Sequence, residues 1–296
     1  MSLIGKSIYI PGYATLDLKS QIGSGTYGAV YRATSSISED DVAVKIVPGE
    51  EAGEAEALAH RRASEHPGTL PLFAAAFVPD LGGWALIMQL CLEGDLFSAL
   101  SERRLIDPEE CRSVFVGVCE TIAYCHSVGL IHRDLKPENI LLTRDEKGLI
   151  QPQIADFGLA LMDSTSSASG CGSPAYMAPE VLANLEGYDP RSADVWALGI
   201  ILCCLAARSP PWLSADLSDQ GFAYYVRRPD TGIQEILGLS DPVHEAVKAG
   251  LCIEPDDRID VQGLGELVHD ADVFSYGWSP QRRGSADSGL GTDDEM

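Results

Sequence analysis

The sequence predicts an α+β fold: a small, mainly antiparallel sheet with one helix comes first, and a larger, mainly helical part follows. Up to Leu90 the chain contains short stretches of alternating or β-branched apolar residues, which are typical of strands. From Leu96 onward apolar residues recur at helical spacing. The 296 residues reach the size, about 250 to 300 residues, at which one core usually stops growing, so one large domain and two lobes are both compatible with the length.

The charge balance bears on which partners the chain can have. The formal net charge is −23, from 44 acidic and 21 basic residues. Nucleic acid and anionic lipid bind basic faces, so we expect neither nucleic acid nor a membrane as a partner. No early segment joins a basic flank to an apolar run, as a secretory signal would. The longest apolar run, residues 196–207, is shorter than the roughly 20 residues of a membrane span and predicts a buried helix. The expected location is the cytoplasm, the nucleus or both.

The first chemical signal along the chain is a glycine-rich segment. Gly23, Gly25 and Gly28 form the pattern G-x-G-x-x-G-x-V between two strand-like stretches. Because glycine has no Cβ, such a segment lets backbone N–H groups approach phosphate oxygens closely. The dinucleotide-binding fingerprint has the same spacing, but it needs a helix that opens at the third glycine. Residues 29–33 continue as a strand instead, which favours a hairpin that covers a nucleotide.

A lysine interrupts the next predicted strand. Lys45 is expected to hold the α- and β-phosphates of the nucleotide, as the lysine of V-A-I-K motifs does; an edge lysine with a solvated ammonium is the alternative. The phosphate-binding role needs an acidic partner, and the helical stretch over residues 50–62 offers Glu54 and Glu56. Glu56 is favoured because it leaves a helix of ordinary length before the break at residues 66–68.

A linker separates the predicted sheet from the predicted helices. Strands over residues 70–77 and 84–90 complete the sheet, and residues 89–95 follow as a hinge-like segment. We expect its backbone to meet the edge of an adenine ring and Asp95 to accept hydrogen bonds from the ribose hydroxyls.

A polar loop between two short apolar segments is the centre of the predicted site. Residues 132–139, HRDLKPEN, contain two carboxylates, two cations and an amide. In the mechanism assigned to H-R-D-x-x-x-x-N, the Asp is the base for the substrate hydroxyl and the Asn binds Mg²⁺. Asp134 is therefore the expected base and Asn139 a metal ligand; an ordinary charged surface loop is the alternative. Asp156, at a strand end, is expected to be the main Mg²⁺ ligand because carboxylate oxygen suits this ion, unless it is a strand-end Asp without that role.

The order of these motifs resembles that of the eukaryotic protein kinase family. GSGTYGAV, VAVK, HRDLKPEN, DFG, APE, DVWALG and the late Arg258 follow one another in the chain. The resemblance implies two lobes, a small antiparallel N-lobe with one helix and a mainly helical C-lobe, with ATP and Mg²⁺ in the cleft between them. The implied division of the chain is an N-terminal extension (1–15), a kinase domain (16–275) made of an N-lobe (16–88), a hinge (89–95) and a C-lobe (96–275), and a disordered acidic tail (276–296).

The resemblance also implies roles for individual side chains. Lys136, two residues after the base, marks the serine/threonine branch and would neutralise the γ-phosphate. Met88 takes the gatekeeper position, and Ser173 would contact the base and the incoming hydroxyl. Phe157 and His132 would share a regulatory stack. Further nucleotide contacts are implied at Ile22, Val30, Ala43, Gln89, Cys91 and Leu141. Residues with structural roles are Glu180, Asp194 and Arg258, with Arg258 expected to pair with Glu180.

The implied activity is transfer of the γ-phosphoryl group of ATP to Ser and Thr hydroxyls of protein substrates, and a pseudokinase scaffold is the alternative. Arg133 is expected to bind a phosphorylated loop residue, Ser169 or else one within residues 165–167, because Arg–phosphate pairs are strong. An upstream kinase or the chain itself would add that phosphate.

The segment GCGSPAYMAPE is most similar to fungal kinases of nutrient and meiotic control. Kinases that select basic substrates carry an additional acid where this chain has Cys204. A preference for basic residues upstream of the target Ser or Thr would therefore depend on Asp95 and Glu138.

Overall fold

A computed structural model describes residues 3–25, 28–38, 40–105, 107–162 and 171–270. Within them, an antiparallel sheet with one helix forms an N-lobe, and a mainly helical C-lobe follows a short linker. The two-lobed α+β fold expected from the sequence is confirmed.

The N-lobe sheet is built around a buried central strand. Its strands are β1 (Ser7–Tyr9), β2 (Thr15–Gly25), β3 (Gly28–Ser35), β4 (Asp41–Pro48), β5 (Leu72–Val78) and β6 (Gly83–Gln89). They lie in the order β1-β2-β3-β4-β6-β5, and every neighbouring pair is antiparallel. The register places Lys45 of β4 between Val30 of β3 and Leu86 of β6. Because β4 has a neighbour on each side, Lys45 is not at a sheet edge.

The first strand, β1, lies within the segment 1–15 that the sequence analysis described as an N-terminal extension. Ser7 of β1 pairs with Asp17 of β2. Ile8 and Ile10 are buried in the apolar cluster on one face of the sheet. A strand of three residues is too short to show a period of two, so the sequence pattern did not reveal that this segment belongs to the sheet.

Helix α1 (Glu50–Ala63) packs closely against the sheet because its contact face carries small residues. A Cβ at Gly53 would lie 2.5 Å from Cδ1 of Trp84 on β6, so only glycine fits there. Ala57 is buried in the same contact. The same face also buries Glu56, and its carboxylate is thereby placed beneath the sheet rather than in solvent.

The C-lobe is organised around a buried apolar helix. Its described elements are α2 (Leu96–Ser101), α3 (Pro108–Ser127), β7 (Leu130–Ile131), β8 (Ile140–Arg144), β9 (Ile150–Ile154), β10 (Leu161–Met162), α4 (Pro179–Leu182), α5 (Pro190–Ala207), α6 (Gln220–Arg227), α7 (Gly232–Leu237), α8 (Asp241–Gly250) and α9 (Val261–Asp270). By length and composition alone α5 could cross a membrane, but 78% of it is buried inside the fold. It is therefore the core helix that the apolar run over residues 196–207 predicts, extended to an N-cap at Asp189.

A short strand pair brings the two polar loops of the C-lobe together. Strands β8 and β9 form a hairpin, and at its open end the Ala155 N–H donates to the Asn139 carbonyl oxygen at 2.9 Å. The loop over residues 132–139 therefore lies beside the segment that begins at Asp156.

Candidate active site

Lys45 lies at the centre of a buried cluster of charges. Its Nζ is 2.6 Å from Oε1 of Glu56 and 2.8 Å from Oδ1 of Asp156. Lys45 is only 7% exposed, so the alternative of an edge lysine with a solvated ammonium does not describe it. Glu54, the other acid considered as its partner, is exposed on α1. The structure pairs Lys45 with Glu56.

The members of this cluster shift one another's pKa. Burial alone would lower the pKa of Lys45, but the charges of Glu56 and Asp156 outweigh burial and raise it. Burial would raise the pKa of Asp156, but the adjacent Lys45 ammonium lowers it. The pKa of Glu56 is raised because burial outweighs the charge of Lys45. Lys45 is therefore a cation and Asp156 an anion at neutral pH.

Asp134 is held between a cation and a hydroxyl. Its Oδ1 accepts hydrogen bonds from the N–H and the hydroxyl of Ser173, each at 3.0 Å. Its Oδ2 accepts from Nζ of Lys136 at 2.6 Å and from Nδ2 of Asn139 at 3.3 Å. The ammonium of Lys136 also lies 2.9 Å from the hydroxyl oxygen of Ser173. This network fixes the orientation of the carboxylate, as a base that receives a proton from a positioned hydroxyl requires.

Asn139 and Asp156 carry the oxygen atoms suited to a divalent cation. Nδ2 of Asn139 donates to the Asp134 carbonyl at 2.8 Å, and Oδ1 of Asp156 accepts from Lys45. No hydrogen bond within the described residues uses Oδ1 of Asn139 or Oδ2 of Asp156, and the side chain of Asp156 is 36% exposed. Mg²⁺ binds such oxygens, retains water and needs few protein ligands, so the two residues fit this ion.

The glycine-rich segment forms the hairpin that the sequence predicts. Gly25 of β2 pairs with Gly28 of β3, and β3 continues as a strand to Ser35, so the segment lacks the helix of a dinucleotide site. Gly28 has a φ of +150°, and a Cβ there would lie 2.3 Å from the Ile46 carbonyl oxygen. Residues 26 and 27, between β2 and β3 in the chain, lie outside the described residues.

An apolar cluster lies between the hairpin, the linker and the C-lobe. Residues that the sequence assigned to the nucleotide make up much of it: Val30, Ala43, Met88, Cys91 and Leu141. Sequence reasoning missed Leu70, Leu72, Leu90 and Ala155, which belong to the same cluster; their only sequence signal is apolar character next to a motif. Ile22 is 50% exposed and is not part of this cluster.

Two residues of the linker have backbone or capping contacts that were not anticipated. The Gln89 N–H donates to the Pro71 carbonyl at 3.0 Å. Asp95, expected at the ribose, is the N-cap of α2 and accepts from the N–H of Ser98 at 2.7 Å. Its carboxylate therefore has a structural role in the linker whatever else it binds.

Asp194 anchors the loop over residues 132–139, called the catalytic loop from here on. Its Oδ1 accepts from the Arg133 N–H at 2.8 Å, and its Oδ2 accepts from the His132 N–H and from Nε2 of His126, each at 2.9 Å. Burial would raise the pKa of Asp194, but the hydrogen bond and charge of His126 lower it. Arg133 has a φ of +68°, a conformation rare outside glycine, and the anchor holds it there.

Glu180 and Arg258 form the buried pair that the sequence predicts. Nη1 of Arg258 lies 2.8 Å from Oε1 of Glu180, and Nη2 lies 3.2 Å from Oε2. The guanidinium also lies 5.0 Å from the ring centroid of Trp196 on α5. The pair therefore ties α4 to the core helix of the C-lobe.

Residues 16–267 match the family described as protein kinase domain. The chain belongs to this family. The match covers both lobes, and all the motif residues described above lie within it.

The kinase domain is similar to proteins from yeast and plants. It is 33% identical over 285 residues (86% of this chain and 59% of the relative) to the "Negative regulator of sexual conjugation and meiosis" of Schizosaccharomyces pombe. It is 32% identical over 263 residues (84% and 56%) to "CBL-interacting protein kinase 4" of Oryza sativa subsp. japonica. It is 36% identical over 180 residues (58% and 38%) to "Serine/threonine-protein kinase ksp1" of S. pombe. The expected similarity to fungal serine/threonine kinases is confirmed, and the chain spans at most 59% of the length of these relatives.

The regulatory expectations for the kinase domain fall partly outside the described residues. Ser169 and residues 165–167, the sites considered for phosphorylation, lie outside them, as does the acidic tail over residues 276–296. Nη2 of Arg133, the side chain expected to bind the phosphate, lies 2.7 Å from Sγ of Cys171. Arg133 therefore contacts Cys171, which directly follows the undescribed residues 163–170.

The stack around Phe157 contains a residue that sequence reasoning missed. The rings of Phe157 and His132 have centroids 5.1 Å apart, as the kinase resemblance implies. On α1, His60 approaches Phe157 at the same distance. Its sequence neighbours are exposed helix residues and an alanine, so nothing local marks His60 as part of the site.

Proposed function

We propose that this kinase domain is an active serine/threonine kinase that transfers the γ-phosphoryl group of Mg²⁺-bound ATP to Ser and Thr hydroxyls of protein substrates. The observation that carries the proposal is the convergence of Lys45, Asp134, Asn139 and Asp156, which come from β4 and from two loops of the C-lobe. Lys45 contacts Asp156 at 2.8 Å, and Asn139 contacts Asp134 at 3.3 Å. The groups whose loss would favour a pseudokinase are all present.

In phosphoryl transfer, positioning and neutralisation of charge do most of the work. The Lys45 ammonium, oriented by Glu56, would hold the nucleotide phosphates. Asp156 and Asn139 would hold Mg²⁺, which when bound supplies positive charge to the phosphates. Asp134 would accept the proton of the substrate hydroxyl, and the Lys136 ammonium beside it would offset the negative charge on the transferred group.

The role of Asp134 is tested by the change Asp134→Asn. The amide keeps the size and can still accept from Ser173, but it cannot act as a base. Turnover should fall about 10²- to 10⁴-fold, the range for an acid–base group, whereas Mg²⁺–ATP should still raise the thermal unfolding temperature. Asp80→Asn, the same change at an exposed residue of a short 3-10 helix, is the matched control. Wild-type phosphotransfer by Asp134→Asn would contradict the proposed role.

We also propose that the substrates carry a basic residue upstream of the target hydroxyl. Glu138 is an exposed residue of the loop over residues 132–139, where it can meet such a residue. Burial raises the pKa of Tyr176 and of Cys204, and the charge of Glu138 adds to the shift. Glu138 therefore lies near Cys204, which supplies no second acid. A positional-scanning peptide array should show a modest preference for Arg or Lys that Glu138→Gln removes, and that Glu146→Gln, in the exposed β8–β9 turn, leaves in place. An array with no basic preference in the wild type would contradict this.

A further inference from the structure

A groove lies between helices α3 and α9 of the C-lobe. It has a volume of about 350 Å³, within the range of about 300–1,000 Å³ that is usual for sites that hold a ligand. The two helices approach closely at one point, where a Cβ on Gly265 would lie 3.1 Å from the Cβ of Cys119. The apolar residues that line the groove are Val116, Cys119, Ala123, Val261 and Gly265. None of the residues assigned above to phosphotransfer lines this α3–α9 groove.

The rim of the α3–α9 groove carries two carboxylates that lack a cation. Glu120 on α3 and Glu266 on α9 both line the groove and are exposed. Glu266 accepts a hydrogen bond from a neutral amide, Nε2 of Gln262, at 2.9 Å. Within the part of the chain that the structure describes, neither carboxylate forms an ion pair. The groove therefore suits an occupant that combines apolar side chains with positive charge.

The segment that follows α9, residues 271–283, contains three aromatic residues at alternate positions. They are Phe274, Tyr276 and Trp278. In an extended chain alternate side chains point to the same side, so one face of this segment would carry all three rings. From Phe274 to Trp278 an extended chain spans about 13–14 Å. The groove follows α9 from Val261 to His269, a length of about 12 Å, so the spacing of the rings matches it.

The same segment carries positive charge and begins at the groove. Arg282 and Arg283 are the only Lys or Arg residues in the sequence after Arg258. Residues 279 and 280 are Ser and Pro, a pair that favours a turn, so the arginines can return towards the rim. Helix α9 ends at Asp270, directly after a residue that lines the groove. An occupant tethered at its site has a high effective concentration there, so weak contacts are sufficient to hold it.

We propose that residues 271–283 dock in the α3–α9 groove of their own chain. The aromatic rings contact the apolar lining, and the two arginines lie beside Glu120 and Glu266. A second copy of the chain and a different protein are the other occupants that the groove could take, and the experiments separate them from this segment. The proposal goes beyond the proposed function and does not rest on it.

Hydroxyl-radical footprinting with mass spectrometry tests the proposal, because it reports the exposure of individual aromatic side chains. The oxidation rates of Phe274 and Trp278 in the full chain are compared with those in a synthetic peptide of residues 271–283. In the full chain the rates should be lower by at least about tenfold, the ratio expected for burial of one aromatic side chain. Rates equal to those of the peptide would leave the groove to a different protein and would overturn the proposal.

Charge reversal at the rim tests whether the groove is the docking site. Glu120→Lys combined with Glu266→Lys should raise the oxidation rate of Trp278 by about two- to tenfold, because two exposed ion pairs are replaced by repulsion. Glu54→Lys combined with Glu245→Lys, at exposed glutamates of α1 and α8, is the matched control and should leave that rate unchanged. Equal rates in the two double variants would show that the segment is buried elsewhere, which would overturn the proposal.

Dilution separates docking within one chain from docking between two copies. Docking within one chain does not depend on concentration, so the oxidation rates should stay constant when the protein is diluted about a hundredfold. Rates that rise on dilution would assign the groove to a second copy and would overturn the proposal. The measurement needs no catalysis, so a chain that transfers no phosphate would disprove the proposed function alone.

Discussion

Removal of Arg258 should be among the most damaging single changes in the C-lobe. Its guanidinium donates to both carboxylate oxygens of Glu180, and also to the Ser192 and Cys252 carbonyls. Arg258→Met keeps much of the volume but leaves the Glu180 carboxylate, 3% exposed, without a cation. Breaking a buried pair in this way costs about 3–5 kcal/mol. With a urea m-value of about 3 kcal/mol/M, the unfolding midpoint should fall by about 1–1.7 M.

The assay is urea unfolding followed by fluorescence, with Arg191→Met as the control. Arg191 pairs with Asp189 at 2.7 Å, but these side chains are 52% and 42% exposed, and such pairs contribute at most about 1 kcal/mol. Glu180→Gln combined with Arg258→Met should be less destabilising than the sum of the single changes, because the orphaned charge is gone. If Arg258→Met lowered the midpoint no more than Arg191→Met, burial of the Glu180–Arg258 pair would not be the source of its stability.

Two further predictions concern the charge cluster and the loop anchor. Lys45→Met should lower kcat/KM for ATP by about 10- to 150-fold, the equivalent of about 1.5–3 kcal/mol for charge-assisted hydrogen bonds. Lys19→Met, at a half-exposed lysine of β2, is the control and should lower kcat/KM less than twofold. Equal steady-state kinetics for the two variants would refute the role of Lys45. Asp194→Asn should destabilise the fold by about 2–4 kcal/mol at pH 7, since an amide cannot accept all the hydrogen bonds of the carboxylate. Because the pKa of Asp194 is lowered in the folded state, its contribution is complete above about pH 4 and is lost as the pH falls through the folded pKa. The gap in urea midpoint between wild type and variant should therefore narrow below pH 4, and a gap that widened there would contradict the sign of the shift.

Motif spacing predicted the parts of the site that are local in the chain. The three glycines between two predicted strands indicated the hairpin. The positions of Asp134 and Asn139 relative to each other are set within one loop. Glu56 could be favoured over Glu54 because helix length and the break at residues 66–68 constrain α1.

What sequence reasoning missed depends on contacts between distant segments. β1 is three residues long, and only pairing with β2 gives it a structure. His60 becomes part of the site because α1 lies close to Phe157, nearly a hundred residues later in the chain. In each case the residue type was compatible with several surroundings, and the tertiary contact selected one.

The same long-range contacts account for how the reactive loops keep an unfavourable backbone. Arg133 and Asp156 have φ values of +68° and +63°, and such conformations cost on the order of 1–3 kcal/mol each in non-glycine residues. Asp194, from the buried α5, holds the first by accepting from the Arg133 N–H, and the Lys45 ammonium, from β4, contacts the side chain of the second. Neither conformation is a local preference. Arg133 depends on an anchor in the C-lobe, and Asp156 depends on one in the N-lobe. Substitutions in α5 that only loosen its packing should therefore lower turnover before they unfold the protein, because the loop geometry relaxes as soon as its anchor moves.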